Sequence, residues 1–279
     1  MRVTSAAEQL LFTTVRLTAQ VSKTVERTGT AFFFVHNKDE KNFPFIVSNK
    51  HVVKDAKRGI FLFNRSDGNH PLLGQGFQIL VDNFYPQWFG HPDDDVDLSI
   101  MPFAPVIRLL EEKQLHAFFR TISSATIPDE EQVESLDAIE NVLMVGYPLG
   151  LYDKVNLTPV VRTGITATPV GLDYNGKAQF LIDAAVFPGS SGSPVVLLNS
   201  GGYYDKGGSL NLGTNRFHLL GVLAEVLTMS DTGKIEVREI PTKQEPVVQI
   251  ATRLNLGVVW KSQLITETVE AFLKQRGGV

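Results

Sequence analysis

One short stretch of the chain combines small residues and hydroxyls in a way that suits nucleophilic catalysis. It is GSSGSP (189–194), which lies between two apolar segments. A serine hydroxyl becomes a useful nucleophile when a base takes its proton, and the oxyanion that forms needs backbone N–H donors aimed at it. Glycines near Ser191 let the chain turn tightly and let a substrate backbone come close. Taken alone, the stretch favours a simpler interpretation, a glycine- and serine-rich hairpin turn.

Two other residues of the required types lie earlier in the chain. His51 follows an apolar segment in PFIVSNKHVV (44–53), and Asp97 stands where the acidic loop of DDDVDLSIMPF (93–103) enters an apolar segment. The simpler interpretations are a buried structural histidine and a strand cap, and a cation site over 93–95 is a third. The combination with Ser191 is more informative than any of these residues alone.

The order of the three residues distinguishes the known arrangements of a Ser-His-acid triad. The order is His51, Asp97, Ser191, with spacings of 97 − 51 = 46 and 191 − 97 = 94 residues. An α/β-hydrolase needs an acid and then a histidine after its serine; only His218 follows Ser191, without any alternation of strands and helices. A subtilisin needs an aspartate well before its histidine, and Asp39 is the only one before His51. The order His, Asp, Ser in a β-rich chain points to a single fold.

Most of the chain alternates short apolar segments with turn residues, the pattern of an all-β sandwich or barrel. The predicted strands fall into two groups of roughly six. The first group comprises 11–20, 30–36, 43–49, 59–64, 77–84 and 98–103. The second comprises 142–148, 159–171, 178–186, 194–199, 216–227, 234–240 and 254–260.

Helical periodicity occurs in two segments, and a polar run separates the two groups of strands. Apolar spacing predicts helices over 106–119 and 262–275, the second with Ser262 as its N-cap. The run TISSATIPDEEQVES (121–135) predicts a linker. The predicted organisation is an N-terminal β-barrel with His51 and Asp97 (1–120), a linker (121–138), and a C-terminal β-barrel with Ser191 and a C-terminal helix (139–279).

These stretches resemble the trypsin-like, chymotrypsin-fold serine peptidases, in particular the HtrA-like branch without its C-terminal PDZ domain. The resemblance runs from about residue 28 to residue 275. Its most specific part is IDAAVFPGSSGSPVV (182–196), with the pattern DAA-x-x-PG-x-SG-x-P around Ser191. The other matching stretches are TGTAFFF (28–34), IVSNKHVV (46–53), DVDLSIMPF (95–103), VLMVGYPLGL (142–151), VVRTGITA (160–167), LLGVLAEV (219–226) and LGVVWKSQL (256–264).

The resemblance implies an all-β fold of two six-stranded antiparallel β-barrels, with a C-terminal helix and a short inter-barrel helix. It implies that Ser191 attacks the scissile carbonyl, that His51 acts as general base and then as general acid, and that Asp97 orients the imidazole. The N–H groups of Gly189 and Ser191 would form the oxyanion hole. The site would lie in the cleft between the barrels, and Asp95 is the alternative acid.

Specificity follows from the same correspondence. Ala185, six residues before Ser191, matches the base of the primary specificity pocket, and segment 223–226, with Ala224 and Glu225, matches the opposite wall. No acid stands at the base, so a preference for Lys or Arg is not expected. We expect a small or medium apolar residue before the cleaved bond, unless Glu225 points inward and attracts a basic one.

Three residues depart from the family pattern. Ser190 stands where HtrA-like peptidases have Asn and trypsin has Asp, which implies that the trypsin activation switch, in which that Asp binds the freed N-terminus, is absent. Ser193 replaces the usual Gly after the Ser-Gly pair, a small change that we expect to be tolerated. Lys50 replaces Ala before His51, and it alters the local charge unless its side chain points to solvent.

The predicted function is a serine endopeptidase that hydrolyses polypeptide substrates through an acyl-enzyme. One alternative is a catalytically idle protein of the same fold that binds partners. The other is an esterase that uses the same site on small substrates. The sequence leaves room for a partner domain or activator and predicts no particular oligomeric state.

Composition and charge argue against several other classes of function. The 279 residues include 26 Lys and Arg against 30 Asp and Glu, a net charge of −4 without a basic run, which disfavours nucleic-acid binding. The absence of cysteine excludes disulfides, zinc–thiolate sites and cysteine nucleophiles. The histidines at 36, 70, 91, 116 and 218 lack metal-ligand spacing, and GYPLG (146–150) lacks the end of a phosphate loop. No metal or cofactor is therefore expected.

The sequence also shows no pattern typical of membrane insertion. No apolar stretch approaches the roughly 18–20 residues that span a bilayer. The beginning of the chain, MRVTSAAEQLLFTTVRLTAQ, lacks the basic and then apolar pattern of a signal peptide. We therefore expect a cytoplasmic protein that does not act at a membrane.

Overall fold

The computed structural model describes residues 1–231 and 250–277, with side chains over 1–224 and 255–277. The first half of the chain forms one nine-stranded sheet in the order β5-β4-β1-β2-β3-β7-β6, with β8 beside β4 and β9 beside β2. Its strands are β1 (Thr14–Gln20), β2 (Glu26–Lys38), β3 (Lys41–Ser48), β4 (Arg58–Ser66), β5 (Pro71–Asp82), β6 (Phe89–Gly90), β7 (Ser99–Pro102), β8 (Ala117–Phe118) and β9 (Ile122–Ser123). The helices of this half and of the segment after it are α1 (Ala6–Leu10), α2 (Lys50–Val53), α3 (Ala104–Glu112) and α4 (Glu130–Ser135).

This sheet does not close, so the expectation of a six-stranded barrel in the first half is wrong. The path ends at β5 and β6, which do not pair with each other in the part of the chain described. A 3-10 turn at Tyr85–Gln87 separates them, and β6 is only two residues long and pairs with β7. β8 and β9 lengthen the sheet instead. They pair with β4 at Asn64 and with β2 at Phe34, beyond the residues at which β1 pairs with these two strands.

The second half of the chain forms the closed six-stranded barrel that the sequence predicts. The strands run in the order β10-β11-β12-β17-β16-β13, and β14 and β15 form a separate hairpin. Their bounds are β10 (Asn141–Gly146), β11 (Val160–Thr166), β12 (Gln179–Asp183), β13 (Pro194–Asn199), β14 (Gly202–Tyr204), β15 (Leu210–Leu212), β16 (Arg216–Asp231) and β17 (Ile250–Lys261). The strand predicted over 234–240 lies outside the described residues.

The predicted helix over 106–119 is wrong in its second half. α3 ends at Glu112, and Gln114 adopts a left-handed backbone with φ of 52°. The next residues form β8, which pairs with β4 and brings Phe118 into the core. Apolar spacing at 115, 118 and 119 fits burial in either conformation, so periodicity does not separate the two.

The C-terminal helix α5 (Gln263–Gln275) lies where the sequence predicts it. Ser262 precedes it, but its side chain makes no capping hydrogen bond, so the expected role of Ser262 as a side-chain cap is wrong. The backbone of Ser262 is itself helical, with φ of −64° and ψ of −25°, whereas a capping side chain needs an extended residue.

One of the apolar clusters of the core spans both halves of the chain. Phe32, Phe34 and Phe45 of the first sheet belong to the same buried cluster as Val145 and other barrel residues. α5, which follows the barrel in the chain, packs on the first sheet through Phe272, whose ring lies 5.7 Å from that of Phe45. Because burial of such side chains contributes about 1.5–3 kcal/mol each, this layer holds the two halves in a fixed arrangement.

Candidate active site

His51 and Asp97 are directly bonded. His51 lies in α2, immediately after β3, and its main-chain N–H donates to Oδ1 of Asp97 at 2.9 Å. The imidazole Nδ1 lies 2.5 Å from Oδ2 of the same carboxylate. A carboxylate at Nδ1 places the proton of a neutral imidazole there and leaves Nε2 free to accept one. The His51 side chain is 48% exposed and that of Asp97 18%, so the imidazole is accessible while the carboxylate is largely covered.

Neighbouring side chains hold this pair in place. The buried amide of Asn49 donates to the carbonyl oxygen of Asp97 at 2.7 Å. Arg27 donates to the carbonyl oxygens of His51 and Lys54 at the end of α2, at 3.3 and 2.5 Å. No local sequence pattern indicates either residue, since they lie 48 and 24 positions from their partners Asp97 and His51.

Asp95 and Lys50 contact groups other than the imidazole. Asp95, the alternative acid, is largely exposed and lies 3.7 Å from the ammonium of Lys177. Lys50 does not point freely to solvent, because its ammonium donates to the carbonyl oxygen of Asp93 at 2.8 Å. Asp97 is the carboxylate that contacts His51.

The loop that carries Ser191 depends on two glycines with left-handed backbones. Gly189 has φ of 89° and Gly192 has φ of 86°. A Cβ at Gly189 would lie 2.7 Å from the carbonyl oxygen of Tyr147, and one at Gly192 would overlap the carbonyl oxygen of Thr30. Glycine is therefore required at both positions for conformation and for space.

The backbone N–H groups of this loop divide into used and unused donors. Those of Ser190, Gly192 and Ser193 donate to carbonyl oxygens of Phe187, Leu223 and Ser190, at 3.0, 2.8 and 3.0 Å. Those of Gly189 and Ser191 donate no hydrogen bond among the described residues. Two unused N–H donors with one residue between them are what an oxyanion-binding site requires.

The hydroxyl of Ser191 does not bond to His51. It donates to the carbonyl oxygen of Ala224 at 2.8 Å, and no hydrogen bond joins it to the imidazole within residues 1–231 and 250–277. Of the three residues expected to form the triad, the structure therefore bonds two, His51 and Asp97.

Two hydrogen bonds through the main chain of Thr30 connect the serine loop to β3, the strand that precedes His51. The N–H of Thr30 donates to the carbonyl oxygen of Ser191 at 2.9 Å. The carbonyl oxygen of Thr30 accepts from the hydroxyl of Ser48 at 2.8 Å. Ser48 ends β3, three residues before His51, so the nucleophile loop and the histidine turn share one hydrogen-bonded connection.

The residues assigned to the specificity pocket are described in part. Ala185 is half-buried, and Ala224 is buried with its carbonyl oxygen bonded to Ser191. The side chain of Glu225 lies outside the described residues. The pocket itself stays a prediction.

Burial shifts the pKa of two ionisable groups of the barrel, Tyr147 and His218. Burial raises the pKa of the Tyr147 phenol well above its ordinary value, so the group stays protonated. Burial is also the main cause that lowers the pKa of His218 in β16. Among the described residues, no group of three or more His, Cys, Asp or Glu side chains is placed to hold a metal ion. None of the described helices combines the length and the apolar character that crossing a bilayer would need.

Comparison with solved structures finds several proteases of low sequence identity. The Rv3671c protease from M. tuberculosis in its active form is 14% identical, with 95% of this chain and 82% of that chain covered and a TM-score of 0.48. The serine endoprotease from Yersinia pestis is 15% identical, with 98% and 68% covered and a TM-score of 0.49. The HtrA-type protease AlgW with decapeptide is 14% identical, with 96% and 66% covered and a TM-score of 0.49.

Comparison of the sequence finds a family model that matches but no individual curated protein. No curated protein sequence matches the chain. The family model described as a trypsin-like peptidase domain matches residues 29–202, which is more than half of the chain and includes His51, Asp97 and Ser191. The chain belongs to the trypsin-like peptidase domain family.

Proposed function

We propose that the protein is a serine endopeptidase in which Ser191 is the nucleophile, His51 the general base and Asp97 the residue that orients it. The observation that carries the proposal is the pair of hydrogen bonds between one carboxylate and one histidine. Asp97 accepts from both Nδ1 and the main-chain N–H of His51. That arrangement fixes the ring and leaves Nε2 as the free acceptor.

The reaction begins with a rotation of the serine side chain. Its hydroxyl leaves the carbonyl oxygen of Ala224 and turns toward Nε2 of His51 through another staggered rotamer. Catalytic hydrogen bonds are often long or misaligned before substrate binds, so the resting geometry is compatible with this step. As Oγ bonds to the scissile carbonyl carbon, its proton passes to Nε2, and Asp97 stabilises the imidazolium.

The unused N–H groups of Gly189 and Ser191 then receive the oxyanion of the tetrahedral intermediate. Loss of one such donor in comparable sites lowers kcat by about 10²–10³-fold. Collapse of the intermediate breaks the C–N bond, and Nε2 returns the proton to the leaving amine. Water, activated by the same imidazole, then attacks the acyl-enzyme, releases the acid product and restores the Ser191 hydroxyl.

Small side chains favour a small or medium apolar residue before the cleaved bond. Ala185 and Ala224 carry only methyl groups, and Leu223 beside them is buried. Because a charged substrate side chain loses its hydration in such surroundings, an apolar one is favoured.

Reaction with a fluorophosphonate tests the nucleophile. We expect the wild-type protein to be labelled on Ser191, as located by peptide mass spectrometry, and the Ser191→Ala variant not to be labelled. Cleavage of a proteome-derived peptide library, with the same variant as control, tests the reaction. Cuts dominated by Lys or Arg would contradict the apolar preference.

A second candidate function is a catalytically idle protein that binds polypeptide partners. It is favoured by one observation, the hydrogen bond that holds the Ser191 hydroxyl on Ala224 and away from His51. Such a protein would show neither labelling nor cleavage. Hydrolysis of simple esters without any cleavage of peptides would indicate the esterase alternative instead.

A further inference from the structure

Thr30 connects the nucleophile loop to a second loop through its side chain. It lies in β2 and is completely buried. Its hydroxyl accepts from the N–H of Tyr147 at 3.0 Å and donates to the carbonyl oxygen of Gly189 at 3.0 Å. The N–H of Thr30 bonds to Ser191 and its C=O to Ser48. Every hydrogen-bonding group of Thr30, in the backbone and in the side chain, therefore has a partner.

The turn that begins at Tyr147 forms a hydrogen bond with the residue before Gly189. Leu149 adopts an unusual left-handed backbone for a bulky side chain, with φ of 53° and ψ of 22°. In that conformation its N–H donates to the carbonyl oxygen of Pro188 at 2.6 Å. The peptide plane before Gly189 is therefore held by the bond from Leu149, and the plane after it by the bond from Thr30 together with the bond from the Ser190 N–H to Phe187.

Orientation of these two planes determines where the oxyanion donors point. In a trans peptide the N–H points opposite to the C=O, so the bond on Pro188 directs the N–H of Gly189. Glycine without a Cβ rotates easily, and nothing in its own side chain would keep that direction. The Thr30 hydroxyl fixes the Gly189 carbonyl and, through Tyr147, the turn that supplies Leu149.

We propose that Thr30 is a positioning residue whose hydroxyl aligns the Gly189 N–H for oxyanion binding. The proposal rests on the proposed function, because it assigns Thr30 to the oxyanion step of that reaction. Thr30 touches neither substrate nor reacting atoms. It acts through Gly189 and Tyr147.

Thr30→Val tests the hydroxyl with little change of shape, and Thr30→Ser keeps the hydroxyl. We expect Thr30→Val to lower kcat by up to about 10²-fold, the size of effect that a small misplacement of a catalytic group causes, with KM little changed. Thr30→Ser should stay close to wild type. Should Thr30→Val fail to fold, as judged by its thermal midpoint, Thr30→Ala serves as the second variant.

Thr166 offers a matched control. It too is buried, and its hydroxyl accepts from the N–H of Glu140 at 2.9 Å and donates to the carbonyl oxygen of Ala138 at 3.0 Å, so its bonding is the same as that of Thr30. Thr166→Val should lower the thermal midpoint as Thr30→Val does and leave kcat unchanged. Equal losses of kcat in both variants would overturn the proposal, as would a folded Thr30→Val with the wild-type kcat.

A pair of ligands separates alignment of the oxyanion donors from general damage. A peptide aldehyde of the best-cleaved sequence forms a hemiacetal with Ser191 and places an oxygen on the donors, whereas the corresponding peptide alcohol does not. Thr30→Val should lose affinity for the aldehyde by the same factor as kcat and keep its affinity for the alcohol. Equal losses for the two ligands would contradict an oxyanion role.

Failure of the proposed function gives a different result from failure of this inference. A wild-type protein that neither cleaves peptides nor reacts with a fluorophosphonate refutes the peptidase, whatever Thr30 does. Amide NMR then tests the positioning role directly, because Thr30→Val should shift the Gly189 and Ser191 signals and Thr30→Ser should not. Unchanged signals in Thr30→Val would overturn it.

Discussion

Replacement of Asp97 by asparagine separates the role of its charge from the role of its shape. The amide oxygen of an asparagine can still accept from the main-chain N–H of His51, which now bonds to Oδ1 at 2.9 Å. Its NH₂ group would then face Nδ1, where Oδ2 lies at 2.5 Å. Because an NH₂ group donates, Nδ1 must become the acceptor and the ring proton moves to Nε2. Nε2 can then no longer take the proton of Ser191.

The expected loss is large and specific. Stabilising the wrong tautomer in a triad of this kind lowers kcat by about 10⁴-fold, which corresponds to about 5.4 kcal/mol of transition-state stabilisation. Steady-state cleavage of the best library peptide measures kcat, and ¹⁵N shifts of the His51 ring report the tautomer. Asp95→Asn is the matched control, because Asp95 is exposed and pairs with Lys177 rather than with His51. If Asp97→Asn cleaved within about tenfold of wild type, or if Asp95→Asn lost as much, the assignment of Asp97 would be refuted.

Three further predictions concern the stability of the serine loop and of helix α5. Gly192→Ala should destabilise the fold by more than the roughly 1–2 kcal/mol that a left-handed alanine costs, because its Cβ also overlaps backbone. Gly176→Ala is the control, because Gly176 has φ of 73° and open space around it and should cost only that strain. Urea unfolding measures both losses of stability. A hydrogen bond from the Lys38 ammonium is the main cause that lowers the pKa of Glu270. The pair therefore stabilises the fold at pH values above 4.5, the ordinary pKa of the carboxyl group. This stabilisation is lost as the pH falls through the pKa of Glu270 in the folded protein. Glu270→Gln should therefore remove at most about 0.2–1 kcal/mol at pH 7, since the carboxylate is partly exposed, and this loss should shrink as the pH falls below 4.5. Phe272→Ala should lower the free energy of unfolding by about 3 kcal/mol and loosen α5, as calorimetry and hydrogen exchange would show. An unchanged thermal midpoint would contradict the role of Phe272 in packing α5 on the first sheet.

The sequence contains the site residues in recognisable local patterns. His51, Asp97 and Ser191 each lie in a stretch where small, polar and apolar residues have a characteristic order, and the longer stretch 182–196 around Ser191 is the most specific of these. The strands of the barrel are equally visible, because buried apolar runs between turn residues predict strands wherever they pair. These features depend on neighbours within a few residues, which a single sequence displays.

Other features depend on contacts that no local pattern displays. The hydroxyl of Thr30 bonds to residues 117 and 159 positions away, so nothing near residue 30 indicates its role. The open edge of the first sheet depends on whether β5 and β6 meet in space, and the apolar character of each strand is the same in both cases. The segment after Glu112 illustrates the same limit, because burial of Phe118 satisfies either a helix or a strand.

The resting position of the Ser191 hydroxyl is compatible with an enzyme once its energy is considered. A hydrogen bond such as that from Ser191 to Ala224 contributes about 1 kcal/mol, because rotation replaces it with another bond or with water. A difference of that size lowers the population of the reactive rotamer by a factor of about 5. Loss of the His51–Asp97 pair would lower the rate about 10⁴-fold, so the rotamer is the smaller effect by far. The rate of fluorophosphonate labelling therefore distinguishes the peptidase from the idle binding protein. A peptidase whose serine rests on Ala224 should react only a few-fold slower than one whose serine is already bonded to histidine. An idle binding protein should react no faster than its His51→Ala variant.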